Sequence, residues 1–145
     1  MKGGIAVVTG AASGMGRKVA ERFAAAGAAV VLTDVDADGL EQTVAAVETT
    51  GGAARAEAGD IADPGTTEAV FALAEREFGP VDVLANVAGL SIRRSLGATS
   101  LEDWNRTLAI NLTGPFLTCQ RAASSMGGRD GAIVNVSAVA GISGM

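Results

Sequence analysis

The stretch Thr9 to Gly16, TGAASGMG, joins an apolar run to an amphipathic segment through a glycine-rich turn, and few folds accommodate such a junction. Ile5 to Val8 reads as a buried strand, and Met15 to Ala26 as a helix. A side chain at Gly10, Gly14 or Gly16 would spoil the turn or hold a bound phosphate away. The arrangement aims backbone N–H groups and a helix N-terminus at one point, as a pyrophosphate requires. Asp34 closes the next apolar run, Ala29 to Thr33, at the distance where an acid reaches an adenosine ribose. The first quarter of the chain therefore predicts a dinucleotide site.

Composition closes several other routes. The chain holds 145 residues, enough for one domain with a sizeable core. No apolar run approaches the length of a membrane span, despite a mean hydropathy of +0.33. The N-terminus leads directly into the first strand, so no signal peptide is expected. Cys119 stands alone, which precludes an internal disulfide and suits a reducing, cytoplasmic setting. A net charge of −5 and only two lysines, Lys2 and Lys18, argue against a nucleic-acid partner. With no histidine anywhere, Ser/His/Asp chemistry and the usual zinc sites are ruled out, and no metal site is expected.

Apolar runs and helical stretches alternate along the chain. Ile5–Val8, Ala29–Thr33, Val81–Ala85 and Ala132–Val136 read as strands buried on both faces, with a weaker strand near Ala53–Ala58. Helices are predicted over Met15–Ala26, Asp38–Thr50, Gly65–Phe78 and Leu101–Met126. Asp63 with Pro64 forms a helix start, Ser100 with Asp103 a capping box, and Gly27, Gly51 and Gly79 stand where helices should stop. The pattern implies an α/β fold, a doubly wound parallel sheet with right-handed crossovers. Such a sheet normally continues past a fifth strand, so the chain is expected to be part of a longer protein.

Five landmarks in this order resemble the classical short-chain dehydrogenase/reductase family over the whole chain. TGAASGMG fits that family's TGxxxGxG; Asp60, followed by Ile61, ends the weak third strand; Asn86-Val87-Ala88-Gly89 is similar to NNAG. Asn111 lies in AINLTG on the long helix, and Gly131 to Gly141 resembles the strand that delivers a catalytic serine. The resemblance implies a cofactor site at Gly10, Ser13, Gly14, Met15, Gly16, Asp34, Asp60, Ile61, Asn86, Ala88 and Gly89, with Asp60 on the adenine amino group. It also implies a proton-relay role for Asn111, a small alcohol or carbonyl substrate, and pairing of copies through helix 101–126. Asp34 favours NAD, because a carboxylate accepts both ribose hydroxyls and repels a 2′-phosphate. Ser13 and Val35 stand where NADP-preferring members place a basic residue.

The family's remaining chemistry has no counterpart among these residues. Its tyrosine and the lysine four residues later move the proton, yet this chain has no tyrosine and no lysine beyond Lys18. Ala138 occupies the serine position, and Ser137, one residue earlier, is expected to face the other side of the strand. A dinucleotide-binding module without chemistry, or a pseudoenzyme fragment, is the alternative. Trp104, Phe116 and Cys119 are expected to be packing residues, Arg93 and Arg94 a solvated pair, and Arg17 a surface or pyrophosphate-side charge.

Overall fold

The computed structural model describes residues 3–138 and contains one parallel sheet. The elements are β1 (Ile5–Thr9), α1 (Gly14–Ala25), β2 (Ala29–Asp34), α2 (Ala37–Thr49), β3 (Ala54–Ala58), α3 (Pro64–Glu77) and β4 (Val83–Asn86). A single 3-10 turn (Leu96–Ala98) then leads to α4 (Leu101–Leu108), a π-helical turn (Ala109–Thr113), α5 (Gly114–Met126) and β5 (Ala132–Asn135). Strand order is β3-β2-β1-β4-β5, so the chain winds one way from β1 and the other way from β4. The doubly wound sheet expected from the alternating pattern is present, and its switch point lies between β1 and β4.

Each strand face feeds its own core. Ala6, Val8, Val30, Leu32 and Ala85 pack against Ala20, Ala24, Leu40 and Val47 from α1 and α2. Val7, Val31 and Leu84 face the other way, onto Val70, Phe71, Leu73 and Ala122 from α3 and α5. Asp63 caps α3 through the Gly65 amide, Ser100 and Asp103 complete the capping box of α4, and Gly27, Gly51 and Gly79 follow the ends of α1, α2 and α3.

Four expectations need correction. The fourth strand begins at Val83, not Val81: Val81 is fully buried, but its N–H goes to Ser125 Oγ and the Asp82 N–H to the Ile5 carbonyl. The predicted single helix over 101–126 contains a π turn. Pro115 has no N–H for the carbonyl of Asn111, and the helical ladder slips just there. β5 is not buried on both faces among the described residues: all four of its residues are exposed, and α5 packs chiefly over β4. Trp104 and Phe116 are 56% and 61% exposed and share a stripe with Leu101, Leu108 and Leu112, whereas Cys119 packs at the rim of the core as expected.

Helices α3 and α5 are also joined by charge. Arg121 bonds both Glu68 and Glu75 and lies 5.4 Å from the centre of the Phe71 ring, while Ser125 Oγ donates to Glu75 at 2.7 Å. Bonds from Arg121, then Ser125, hold the Glu75 carboxyl below its ordinary value of 4.5 against an opposing effect of burial. A carboxyl with a lowered folded-state value stabilises above its unfolded value and loses that contribution as pH falls. The Glu75→Gln variant is therefore expected to melt earlier at pH 7. Its melting temperature should also fall less steeply than the parent's on acidification from pH ~5 to ~3, as calorimetry would read.

Candidate cofactor site

The strands' C-terminal ends open onto a cleft of about 510 Å³, bounded by the turns after β1, β2, β3 and β4 and by α4. The β1–α1 turn forms its floor. Gly10 has φ +68°, and a Cβ there would sit 2.7 Å from the Ala88 amide nitrogen, so its glycine lets two turns touch at the switch point. Gly14 has φ +51°, and the space where its Cβ would point is open. At Gly16 the missing side chain serves close packing: a Cβ would lie 2.0 Å from the Gly10 carbonyl oxygen. A side chain at Gly16 would thus spoil the turn, one of the two effects expected at these glycines. Ser13 stands at the N-cap of α1 without a side-chain cap, and the first turn carries no acid, which leaves that helix end suited to an anion.

Asp34 ends β2 at the rim of the cleft. Its Oδ2 accepts from the Ala12 N–H at 3.1 Å and its Oδ1 from the Asp36 N–H at 3.2 Å, so the carboxylate is held by backbone at both oxygens. Ser13 and Val35 line the cleft beside it. Arg17 does not face this space as a free charge. It donates to the Ala12 and Gly39 carbonyls, Gln42 Oε1 and Thr43 Oγ1, riveting α1 to α2 behind the turn.

Asp60 and Ile61 line the far end. Asp60 Oδ1 accepts from the Ala62 N–H at 3.0 Å, and its Oδ2 pairs with Arg106 of α4. The Ala62 amide foremost, with Arg106, holds the Asp60 carboxyl below its ordinary 3.8 against partial desolvation. Ile61 is buried against Gly114, where a Cβ would lie 2.9 Å from Ile61 Cγ2.

The turn after β4 supplies Ala88 and Gly89 to the cleft, and Met15 reaches it from α1. Thr9 Oγ1 accepts the amides of Val87 and Ala88, both at 3.1 Å, and so sets that turn. Asn86 lies beneath the cleft instead of lining it. It is 3% exposed, accepts from Thr118 Oγ1 at 2.8 Å and donates to Asn135 Oδ1 at 2.8 Å, bracing β4 against α5 and β5. Asn111 lies in the π turn, where both amide ends close on the backbone of Leu90: Oδ1 accepts its N–H and Nδ2 donates to its carbonyl, each at 2.8 Å. Ser137 and Ala138 follow β5 outside regular structure, and both are exposed. Residues 139–141 of the predicted serine segment lie outside the described residues. Arg94 pairs with Asp103 at 3.0 Å, so the expected solvated pair is divided. No cluster of three metal-ligating acids or cysteines occurs among the described residues.

Thr9 and Arg106 were missed by sequence reasoning. Thr9 lies inside the recognised motif, where its position before Gly10 is the only signal. Nothing local marks Arg106, whose partner lies 46 residues away.

Comparison with known proteins agrees with this geometry. The short chain dehydrogenase family model matches residues 4–145. D-threitol dehydrogenase of Mycolicibacterium smegmatis is 41% identical over 143 residues, covering 97% of this chain and 54% of the relative. The 3beta-hydroxysteroid dehydrogenase 1 of Eggerthella lenta is 39% identical, with 96% and 54% covered. A solved structure assigned to the short-chain alcohol dehydrogenases, from Sinorhizobium meliloti, superposes with a TM-score of 0.94 at 34% identity, covering 100% of this chain and 58% of its own. The protein belongs to the short-chain dehydrogenase family, a family of oxidoreductases built on this Rossmann-type sheet. The chain spans about half the length of the curated relatives it matches.

Proposed function

We propose that the chain binds NAD in the cleft and serves an oxidoreductase that interconverts an alcohol and a carbonyl. The observation that carries this reading is Asp34, fixed at both oxygens by backbone amides at the rim and flanked in the cleft by the uncharged Ser13 and Val35. In that position the carboxylate accepts both adenosine ribose hydroxyls and repels a 2′-phosphate. The amides of Gly14, Met15 and Gly16, at the start of α1, take the pyrophosphate, and Asp60 takes the adenine amino group. Ile61, Ala88 and Gly89 form the walls, and Asn86 holds the sheet beneath them. NAD, when bound, supplies a hydride acceptor; the residues here bind and orient it.

Replacing Asp34 with alanine is expected to weaken NADH binding by about a hundredfold or more, since two hydrogen bonds to a charged acceptor are lost. Binding of NADPH should weaken far less, which narrows the preference. Fluorescence titration of both nucleotides reads this directly. An unchanged NADH:NADPH ratio counts against the assignment.

Asn111 is assigned to the proton relay, its amide holding the Leu90 loop at the cleft's edge. A second reading, dinucleotide binding without chemistry, is favoured by Ala138, which stands where the family resemblance places the serine. Hydride transfer from an alcohol to bound NAD, followed as absorbance at 340 nm, separates the two. No helix among the described residues is long and apolar enough to cross a membrane. We assign the protein to the cytoplasm, and the stripe Leu101, Trp104, Leu108, Leu112 and Phe116 to pairing between copies. The Trp104→Asp variant should sediment as a smaller species than the parent.

A further inference from the structure

The adenine end of the cleft contains a cation that the proposed NAD reading does not use. Arg106 lines the cleft from α4 and donates through Nη1 to Asp60 Oδ2, while Asp60 Oδ1 is held by the Ala62 amide. The two anchors lie on different oxygens and come from different elements. One is the turn that carries Asp60 itself; the other is a helix reached 46 residues later. A carboxylate held only by Ala62 can still rotate about its Cβ–Cγ bond, a broad and soft torsion. Arg106 removes that freedom, and both residues line the cleft. Side-chain exposures of 44% and 34% make the pair a weak contributor to stability, so its value is geometric.

We propose that Arg106 is a positioning residue for adenine recognition: it orients the Asp60 carboxylate so that the 6-amino group of an adenine-bearing nucleotide is selected over a 6-oxo group. This rests on the proposed NAD reading, with Asp60 at the adenine. The chemistry is specific. An exocyclic amino group donates to a carboxylate, whereas a 6-oxo group presents an acceptor to it and is rejected. An arginine that merely stacked on the base, or merely added positive charge, would favour both nucleotides alike.

The test titrates the full chain with NADH and with reduced nicotinamide hypoxanthine dinucleotide, which differs from it in the 6-oxo base. The parent is expected to prefer NADH by about tenfold, as one hydrogen bond to a charged acceptor implies. Arg106→Met is expected to cut that preference to within about twofold, chiefly by weakening NADH. Arg106→Lys, which keeps the stem and the charge, should restore part of it. Arg106→Gln serves as a second uncharged variant should the methionine variant fail to fold by circular dichroism. Equal weakening of both nucleotides, or an unchanged preference, overturns the positioning role and leaves the NAD reading intact. A parent that binds both equally removes Asp60 from the adenine and this inference with it. A parent that binds neither overturns the NAD reading itself.

Discussion

Gly16→Ala is expected to lower NADH affinity by about a hundredfold or more and to cost about 1–3 kcal/mol of stability. The added Cβ would lie 2.0 Å from the Gly10 carbonyl oxygen and 3.1 Å from Ala11 Cα, both backbone atoms of the same turn. Neither atom can yield as a flexible side chain would, so the turn and the first coil of α1 must separate. That displaces the amides of residues 14–16 from their common focus. Two weakened hydrogen bonds to an anionic ligand, each worth about 1.5–3 kcal/mol, account for the affinity loss. Nucleotide titration and urea unfolding measure the two effects. The companion variant Gly14→Ala meets no atom within 4 Å, and only its φ of +51° opposes the change. It is therefore expected to cost less stability, about 1–2 kcal/mol. If Gly16→Ala binds NADH as well as the parent, the packing account of this glycine is wrong.

The Phe71→Ala variant carries the largest expected stability effect, about 3–5 kcal/mol. Phe71 is fully buried between α3 and the sheet, among Val7, Val31 and Leu84, and Arg121 lies over its ring. Truncation removes the transfer energy of the ring, opens a cavity and takes away the aromatic face beneath the guanidinium. A domain of ordinary stability holds only about 5–15 kcal/mol, so this change takes a large share of it. Urea unfolding followed by far-UV circular dichroism should show a lower midpoint with an unchanged slope. A loss below about 1 kcal/mol would mean that α3 packs on the sheet far more loosely than these contacts imply.

The site was legible where its chemistry is local. Gly10, Ser13, Gly14, Met15 and Gly16 are consecutive or nearly so, Asp34 ends β2 and Asp60 lies in the turn after β3, so strand periodicity brings them to one edge of the sheet. Reading failed where a residue's task depends on a distant partner. Arg17 read as a surface or pyrophosphate-side charge, but its Nε and Nη2 bind Thr43 Oγ1, Gln42 Oε1 and the carbonyls of Ala12 and Gly39. Asn86 read as an amide supporting the floor beneath the cofactor, but its partners Thr118 and Asn135, 32 and 49 residues away, were not legible. Trp104 and Phe116 read as packing residues of the long helix, but both stand exposed among the described residues.

By itself, the order of residues determined the alternation of strands and helices, the glycine turn after β1 and the acid that closes β2. Each of these follows from side-chain periodicity and backbone freedom within a few residues. Only the tertiary structure decided that Gly10 touches Ala88, that Thr9 sets the turn after β4, and that Arg106 reaches Asp60. Those contacts span dozens of residues and exist only once parallel pairing has brought the strand ends together, because hydrogen bonds and close packing act over a few ångströms in space, whatever the separation along the chain.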